Sequence, residues 1–174
     1  MKENWDKSFE LVIQMEGGYV NDPDDAGGET NLGVTKAAWS SYMARPIADG
    51  EMRKLTKDIV KPFYKRMYWD KLQCDSLPDG IDYAAFDFGV NAGTGQAAKF
   101  IQRAVGAADD GSIGPNTLGY VARMDKHEIL EKFTQQKTDF YNGIVARKPS
   151  QAKFIKGWLR RVAHSKEAAE SMMT

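Results

Sequence analysis

Cysteine is almost missing from this chain of 174 residues: Cys74 stands alone. One thiol cannot close an intramolecular disulfide, and it argues against a cysteine-based metal site. The plain reading is a small, half-buried hydrophobe rather than a nucleophile. Histidine is nearly as scarce, with two in the whole chain, and His127-Glu128 lacks the second histidine of a zinc-protease helix. No metal or other cofactor is therefore expected. Net charge is lacking too, because 24 basic and 24 acidic side chains cancel. That balance excludes the basic footprint of a nucleic-acid binder. It also denies the chain a long-range pull on an anionic polymer, so such a substrate must be held by local contacts. No apolar run approaches the ~20 residues that span a bilayer, and stable membrane insertion is not expected. The opening residues, Met1-Lys2-Glu3-Asn4-Trp5-Asp6, carry neither the apolar core nor the cleavage site of a secretory signal. The expectation is a protein made in the cytoplasm, with any export by another route. No Gly-x-Ser-x-Gly elbow and no internal repeat is present.

What is present reads as one mainly α domain of ordinary globular composition. Trp5, Phe9, Val12 and Ile13 follow one helical stripe, and Glu16, eleven residues after Trp5, stays in register with it. Gly17-Gly18 then ends that helix. From Val20 to Thr35 the chain is rich in Gly, Asp and Asn and predicts a long turn or small hairpin, with Leu32 and Val34 alternating as a brief strand would. Thr35 is placed to cap the helix through Trp39, and another helix follows Thr56 with Pro62 as a kink. Leu77-Pro78-Asp79-Gly80 marks a break, which divides the domain (1–174) into lobes 1–78 and 79–174. Helices are predicted over 81–90 and 96–105, the latter closed by Gly106. Pro115 suits a first helical position, and Asp125 with Glu128 opens a long helix to about Arg147. A last helix follows Pro149-Ser150. Gly93-Thr94-Gly95-Gln96-Ala97-Ala98 matches a dinucleotide-binding pattern, but a helix precedes it where a strand is required, so it reads as a turn between helices.

Chemistry concentrates near the N-terminus. Glu16 sits at a helix C-terminus on the apolar face, where desolvation and the negative end of the helix dipole both oppose ionisation. A raised pKa is expected, which suits a general acid. Asp22, Asp24, Asp25 and Glu29 crowd the following loop, beside Thr30 and Asn31. A solvated acidic turn is one reading; a calcium loop is another, although the EF-hand spacing is absent. Two carboxyl groups in unequal surroundings are also what glycosidic hydrolysis needs. Trp39, Tyr42, Tyr68, Trp69 and Trp158 are core residues by default, with one or two available to stack on sugar rings.

Glu16-Gly17-Gly18-Tyr19-Val20-Asn21-Asp22-Pro23 and Asp25-Ala26-Gly27-Gly28-Glu29-Thr30-Asn31-Leu32-Gly33-Val34-Thr35 resemble the opening signature of glycoside hydrolase family 108. Its members are N-acetylmuramidases, typically phage or prophage endolysins, with a lysozyme-like fold. The resemblance continues through Tyr64-Lys65-Arg66-Met67-Tyr68-Trp69 and Asp87-Phe88-Gly89-Val90-Asn91-Ala92-Gly93. Asp110-Gly111-Ser112-Ile113-Gly114-Pro115-Asn116-Thr117 and Gly157-Trp158-Leu159-Arg160-Arg161-Val162 are similar to the family's peptidoglycan-binding segment. The resemblance implies a mainly α, two-lobed lysozyme-like fold with a small irregular β-hairpin region. It implies Glu16 as the catalytic acid, Asp25 as its partner and Thr30 as the residue that places water. It further implies Tyr19, Asn31, Trp69, Asp87 and Asn91 as contacts to peptidoglycan. Asp25 lies nine residues after Glu16, an interval shared with lysozymes of the phage T4 type, whereas Asp24 keeps their six-residue interval from Asp to Thr. The implied partners are glycan strands and a holin-type release factor, and the implied state is a monomer acting at the periplasmic cell wall during lysis. A lytic transglycosylase and a non-catalytic protein that binds the wall or assists secretion remain the alternatives.

Overall fold

The computed structural model describes residues 4–22 and 28–173. Within it the chain divides into two compact units, Asp6–Met67 and Met1–Trp5 with Tyr68–Thr174. Asp24 and Asp25 lie outside the described residues.

The smaller unit contains most of α1 (Trp5–Met15), a three-stranded antiparallel sheet, α2 (Lys36–Met43) and α3 (Lys57–Tyr64). The α1 stripe buries Phe9, Val12 and Ile13, as its spacing requires. The sheet is a meander of β1 (Val20–Asn21), β2 (Glu29–Asn31) and β3 (Val34–Thr35), with Val20 opposite Thr30 and Asn31 opposite Val34. Leu32 is not a strand residue: it forms the two-residue β2–β3 turn with Gly33, at φ +52° and +75°. Two consecutive positive φ values give a hairpin turn whose twist matches that of the strands. The Thr35 hydroxyl accepts from the Ala38 amide and Thr56 from that of Ile59, so both threonines cap helices. Pro62 has no N–H to continue the ladder, and α geometry gives way to a π turn at Lys65–Trp69.

The larger unit is built around α4 (Ile81–Ala92), which is buried on every side from Ile81 to Gly89. A helix buried all round belongs at the centre of a core. Packed on it are α5 (Thr94–Val105), α7 (Lys126–Arg147) and α8 (Ile155–Met172), while α6 (Pro115–Val121) packs on α5. Phe88 stacks on Phe100 at 5.1 Å and meets Phe133 and Phe140 edge-on, each at 5.8 Å. Trp5 belongs to this unit, where its ring lies 5.3 Å from Trp69 and 5.5 Å from Phe86. Gly80, at φ +83°, lets α4 begin against α8, because a Cβ there would stand 2.5 Å from the Ala169 carbonyl oxygen. Gly93 links α4 to α5 with no strand before it, so the glycine-rich pattern is an interhelical turn. Gln102, fully buried, pins the turn before α6: its amide nitrogen faces Asp110, the Ser112 carbonyl and Thr117, and its oxygen accepts from Gly111. Cys74 is buried, and desolvation pushes its thiol well above the usual range.

A buried charge cluster centres on Asp87, 1% exposed, which faces Arg161 Nη2 at 3.2 Å and Lys137 Nζ at 3.8 Å. Lys137 also donates to Ser165 at 3.2 Å. Burial pushes the Lys137 ammonium below its ordinary value of 10.5, and Asp87 opposes that shift. Asp87→Asn is therefore expected to destabilise the fold by ~3–5 kcal/mol at neutral pH, the usual consequence of breaking a buried pair. The sign with pH follows from Lys137: a lysine whose folded pKa is lowered costs stability below that pKa and nothing once it is neutral in both states. Urea titrations should show the variant's deficit shrinking as pH rises towards 10.5.

Candidate active site

The helix that carries Glu16 stops where its sequence requires. The Glu16 amide still donates to the Ile13 carbonyl at 3.2 Å, completing the last turn, and Gly17-Gly18 then leave the helix. Glu16 is half-buried. Its carboxyl group lies directly against Gly33: a Cβ built there would stand 2.7 Å from Oε2 and 2.9 Å from Cδ. The same Cβ would stand 2.5 Å from the Tyr64 hydroxyl oxygen. A residue with any side chain would fill this space, so Gly33 is present for close approach as well as for its positive φ. Tyr64, 1% exposed, donates to the Leu32 carbonyl at 2.7 Å and so holds the turn in place from the α3 side. Leu32 at positive φ costs roughly 1–2 kcal/mol, a strain that neighbouring contacts must offset.

Beside this seat, Glu29 on β2 is tied on both oxygens. Tyr19 Oη donates to Oε1 and Lys36 Nζ to Oε2, each at 2.8 Å. The Lys36 hydrogen bond, then that of Tyr19, holds the Glu29 carboxyl below the usual range, so it is ionised at neutral pH. Arg53 stands over the Tyr19 ring at 4.4 Å. Thr30, half-buried, occupies the middle of β2 between Val20 and Thr35. Asn31 is buried, and its amide donates to the Met52 carbonyl at 2.8 Å and, more weakly, to that of Leu55 at 3.4 Å. Its observed work is to brace the sheet against the turn at Met52–Lys54.

Glu16, Tyr19, Thr30 and Asn31 thus share the smaller unit, while Trp69, Asp87 and Asn91 belong to the larger one. Trp69 is fully buried, donates to Asp75 at 2.9 Å and presents no face to a ligand. Asp87 is spent on Lys137 and Arg161. Both side chains expected to contact substrate are thus engaged inside the larger unit, in packing and in charge pairing. Asn91 is exposed at the end of α4 and lines a cavity of about 420 Å³ with Tyr141, Trp158 and Arg161. Tyr64, Gly33 and Lys36 were not legible as site residues. Tyr64 and Lys36 lie 48 and 20 residues from Glu16 by position, and only the fold brings Tyr64 and Gly33 to its carboxyl group. Among the described residues no three His, Cys, Asp or Glu side chains gather as a cation site requires.

Comparison with known proteins places the chain in a family. Residues 9–93 match the family described as Glycosyl hydrolase 108, and residues 96–163 match the Predicted Peptidoglycan domain. Among solved structures, Brucella abortus SagA is similar at a TM-score of 0.87 and 34% identity, over 99% of this chain and 97% of that one. No curated protein matches the chain. The fold is lysozyme-like and mainly α with a small antiparallel sheet, and the protein is a glycoside hydrolase of the peptidoglycan-degrading class. The chain belongs to glycosyl hydrolase family 108.

Gly33→Ala tests the seat. The added methyl must displace the Glu16 carboxyl group or the Tyr64 hydroxyl, and a misplacement of about 1 Å can cost on the order of 10²-fold in rate. The expected result is a fall of that order in wall-clearing rate with binding to wall retained; unchanged clearing by a folded variant would contradict it.

Proposed function

We propose that this enzyme is an N-acetylmuramidase, cleaving the β-1,4 bond between N-acetylmuramic acid and N-acetylglucosamine. The observation that carries the reading is a half-buried carboxyl group at a helix end, seated against a glycine turn that a tyrosine hydroxyl braces. Glu16 donates its proton to the glycosidic oxygen as the bond to the anomeric carbon breaks. Asp25 supplies the negative charge facing that carbon, and Thr30 places the water whose oxygen ends on it. The water's remaining proton returns the carboxyl pair to its starting state. Residues 1–78 carry the chemistry in this reading, and residues 79–174 hold the wall polymer, with Tyr19 and Asn91 among its contacts. The biological setting we infer is bacterial lysis, by a monomer made in the cytoplasm and released to the periplasmic wall by a holin-type partner. No described helix is long and apolar enough to cross a membrane.

Mass spectrometry of digested peptidoglycan tests bond and reaction together. Reducing muramic acid ends are expected. Ends in 1,6-anhydromuramic acid would make the enzyme a transglycosylase, and binding without released fragments would make it a non-catalytic wall protein. Glu16→Gln is expected to lower the rate by at least about 10²-fold with folding intact. Asp25→Asn should lower it comparably while Asp24→Asn does not; the reverse pattern would assign the partner to Asp24.

A further inference from the structure

The neutral total of this chain hides a division of charge. Between Asp139 and Glu167 the sequence holds seven lysines and arginines and no acidic residue, which leaves 17 basic against 24 acidic side chains elsewhere. Two of the seven are engaged inside the fold: Arg161 faces Asp87, and Lys166 pairs with Glu131 and Glu170. The other five, Arg147, Lys148, Lys153, Lys156 and Arg160, are all exposed. Among the described residues none of these five has an ion-pair partner.

The fold gathers them at one corner of the larger unit. Arg147 ends α7 and Lys148 follows it; Lys153 lies in the 3₁₀ helix Pro149–Phe154, and Lys156 and Arg160 lie in the first turns of α8. The 3₁₀ helix packs on both α7 and α8, so the end of one long helix meets the start of the other there. Folding explains only part of this charge. Cations at the end of α7 complement the negative pole of that helix, which accounts for Arg147 and Lys148. Lys153 and Lys156 stand at the opposite pole of α8, whose first turn has no acidic residue, and positive charge is disfavoured at that pole. Their complement lies outside the protein.

Three features select it. The patch lies wholly within residues 96–163, the peptidoglycan-domain stretch. Its cations are spread over an exposed face, an arrangement that suits a repeated anion better than one small ligand. Three of the five are lysines, whose mobile point charges follow carboxylates in many geometries, whereas an arginine fork selects one. Phe154, 45% exposed with Lys153 Nζ 5.0 Å from its ring, adds apolar surface beside the charges. Peptide stems offer the matching chemistry, with carboxylates repeated along the strand next to alanine methyl groups.

We propose that Arg147, Lys148, Lys153, Lys156 and Arg160 form an electrostatic dock for the carboxylates of the peptide stems of peptidoglycan. The proposal rests on the reading of residues 79–174 as the part that holds the wall polymer. It gives a chain with no net charge one face that attracts an anionic polymer, and it makes that attraction dependent on salt.

The test is cosedimentation of the full chain carrying Glu16→Gln with purified peptidoglycan sacculi, so that binding is read without cleavage. One batch of sacculi is intact; in the other, carbodiimide and ammonia have converted the carboxylates to amides. The parent is expected to bind intact sacculi at least about tenfold tighter at low ionic strength, and the difference should shrink as added salt shortens the screening length from about 30 Å at 0.01 M to about 8 Å at 0.15 M. Lys153→Gln/Lys156→Gln/Arg160→Gln is expected to weaken binding to intact sacculi about tenfold, since each exposed pair is worth up to about fivefold, and to leave amidated sacculi unchanged. Lys153→Arg/Lys156→Arg, which keeps the charge, should bind as the parent does. Equal loss on both batches, or no loss on either, overturns the proposal. So does binding of the parent to phosphatidylglycerol vesicles or to a single-stranded oligonucleotide as tightly as to intact sacculi, which would make the patch a membrane or nucleic-acid face. Should the triple variant melt below its parent, Lys156→Gln decides, with a loss of about two- to fivefold confined to intact sacculi. Failure of the muramidase reading would appear separately, as 1,6-anhydro ends or no released fragments with unmutated enzyme, and would leave the contrast between sacculi in place.

Discussion

A carboxylate buried at the centre of a helical core must be neutralised where it stands, and much of the larger unit is organised around meeting that demand for Asp87. Isolated in an apolar interior, its charge would cost many kcal/mol, so α7 must deliver Lys137 and α8 must deliver Arg161. Ser165 then occupies the Lys137 ammonium from the same face of α8. The cluster therefore specifies how three helices meet, a specificity that interchangeable apolar side chains do not supply. It also leaves the Arg161 side chain partly exposed on a cavity wall.

Close approach does comparable work in the smaller unit, through an absence of atoms rather than a charge. Gly33 lets the Glu16 carboxyl group and the Tyr64 hydroxyl share a space that one methyl group would fill. The turn that presents Gly33 is itself strained at Leu32, and Tyr64 and the β2–β3 pairing hold it. Glu29 beside it is kept ionised by Lys36 and Tyr19. One small sheet thus holds the Gly33 turn against the Glu16 carboxyl group and carries the ion-paired Glu29 on β2.

Local signals identified most element boundaries because their causes are local. Gly17-Gly18 ended α1, Thr35, Thr56 and Asp125 capped the helices that follow them, Pro115 opened α6, and Gly106 closed α5 in the left-handed conformation. Each depends on a side chain or φ preference acting within a few residues. Leu32 went otherwise, because an apolar residue at alternating spacing carries no sign of a two-residue hairpin forced on it by the pairing of Asn31 with Val34. Trp69, Asp87 and Asn31 read as ligand contacts from their motifs, and in the structure all three are buried with partners inside the protein. A motif records that a residue matters, and burial decides whether it matters for packing or for binding.

By itself the sequence determined the helical class, the place of the small sheet, the family and the carboxyl group at the end of α1. These follow from periodicity, caps and a contiguous signature, all of which act over short stretches of chain. Only the tertiary structure decided that Gly33 and Tyr64 form the seat of Glu16, that Lys36 keeps Glu29 charged, and that Asn91, Tyr141, Trp158 and Arg161 line one cavity. Those groupings join side chains up to 70 residues apart, from Asn91 to Arg161. Distance in space between such positions is set by helix packing and turn geometry, which no local pattern encodes.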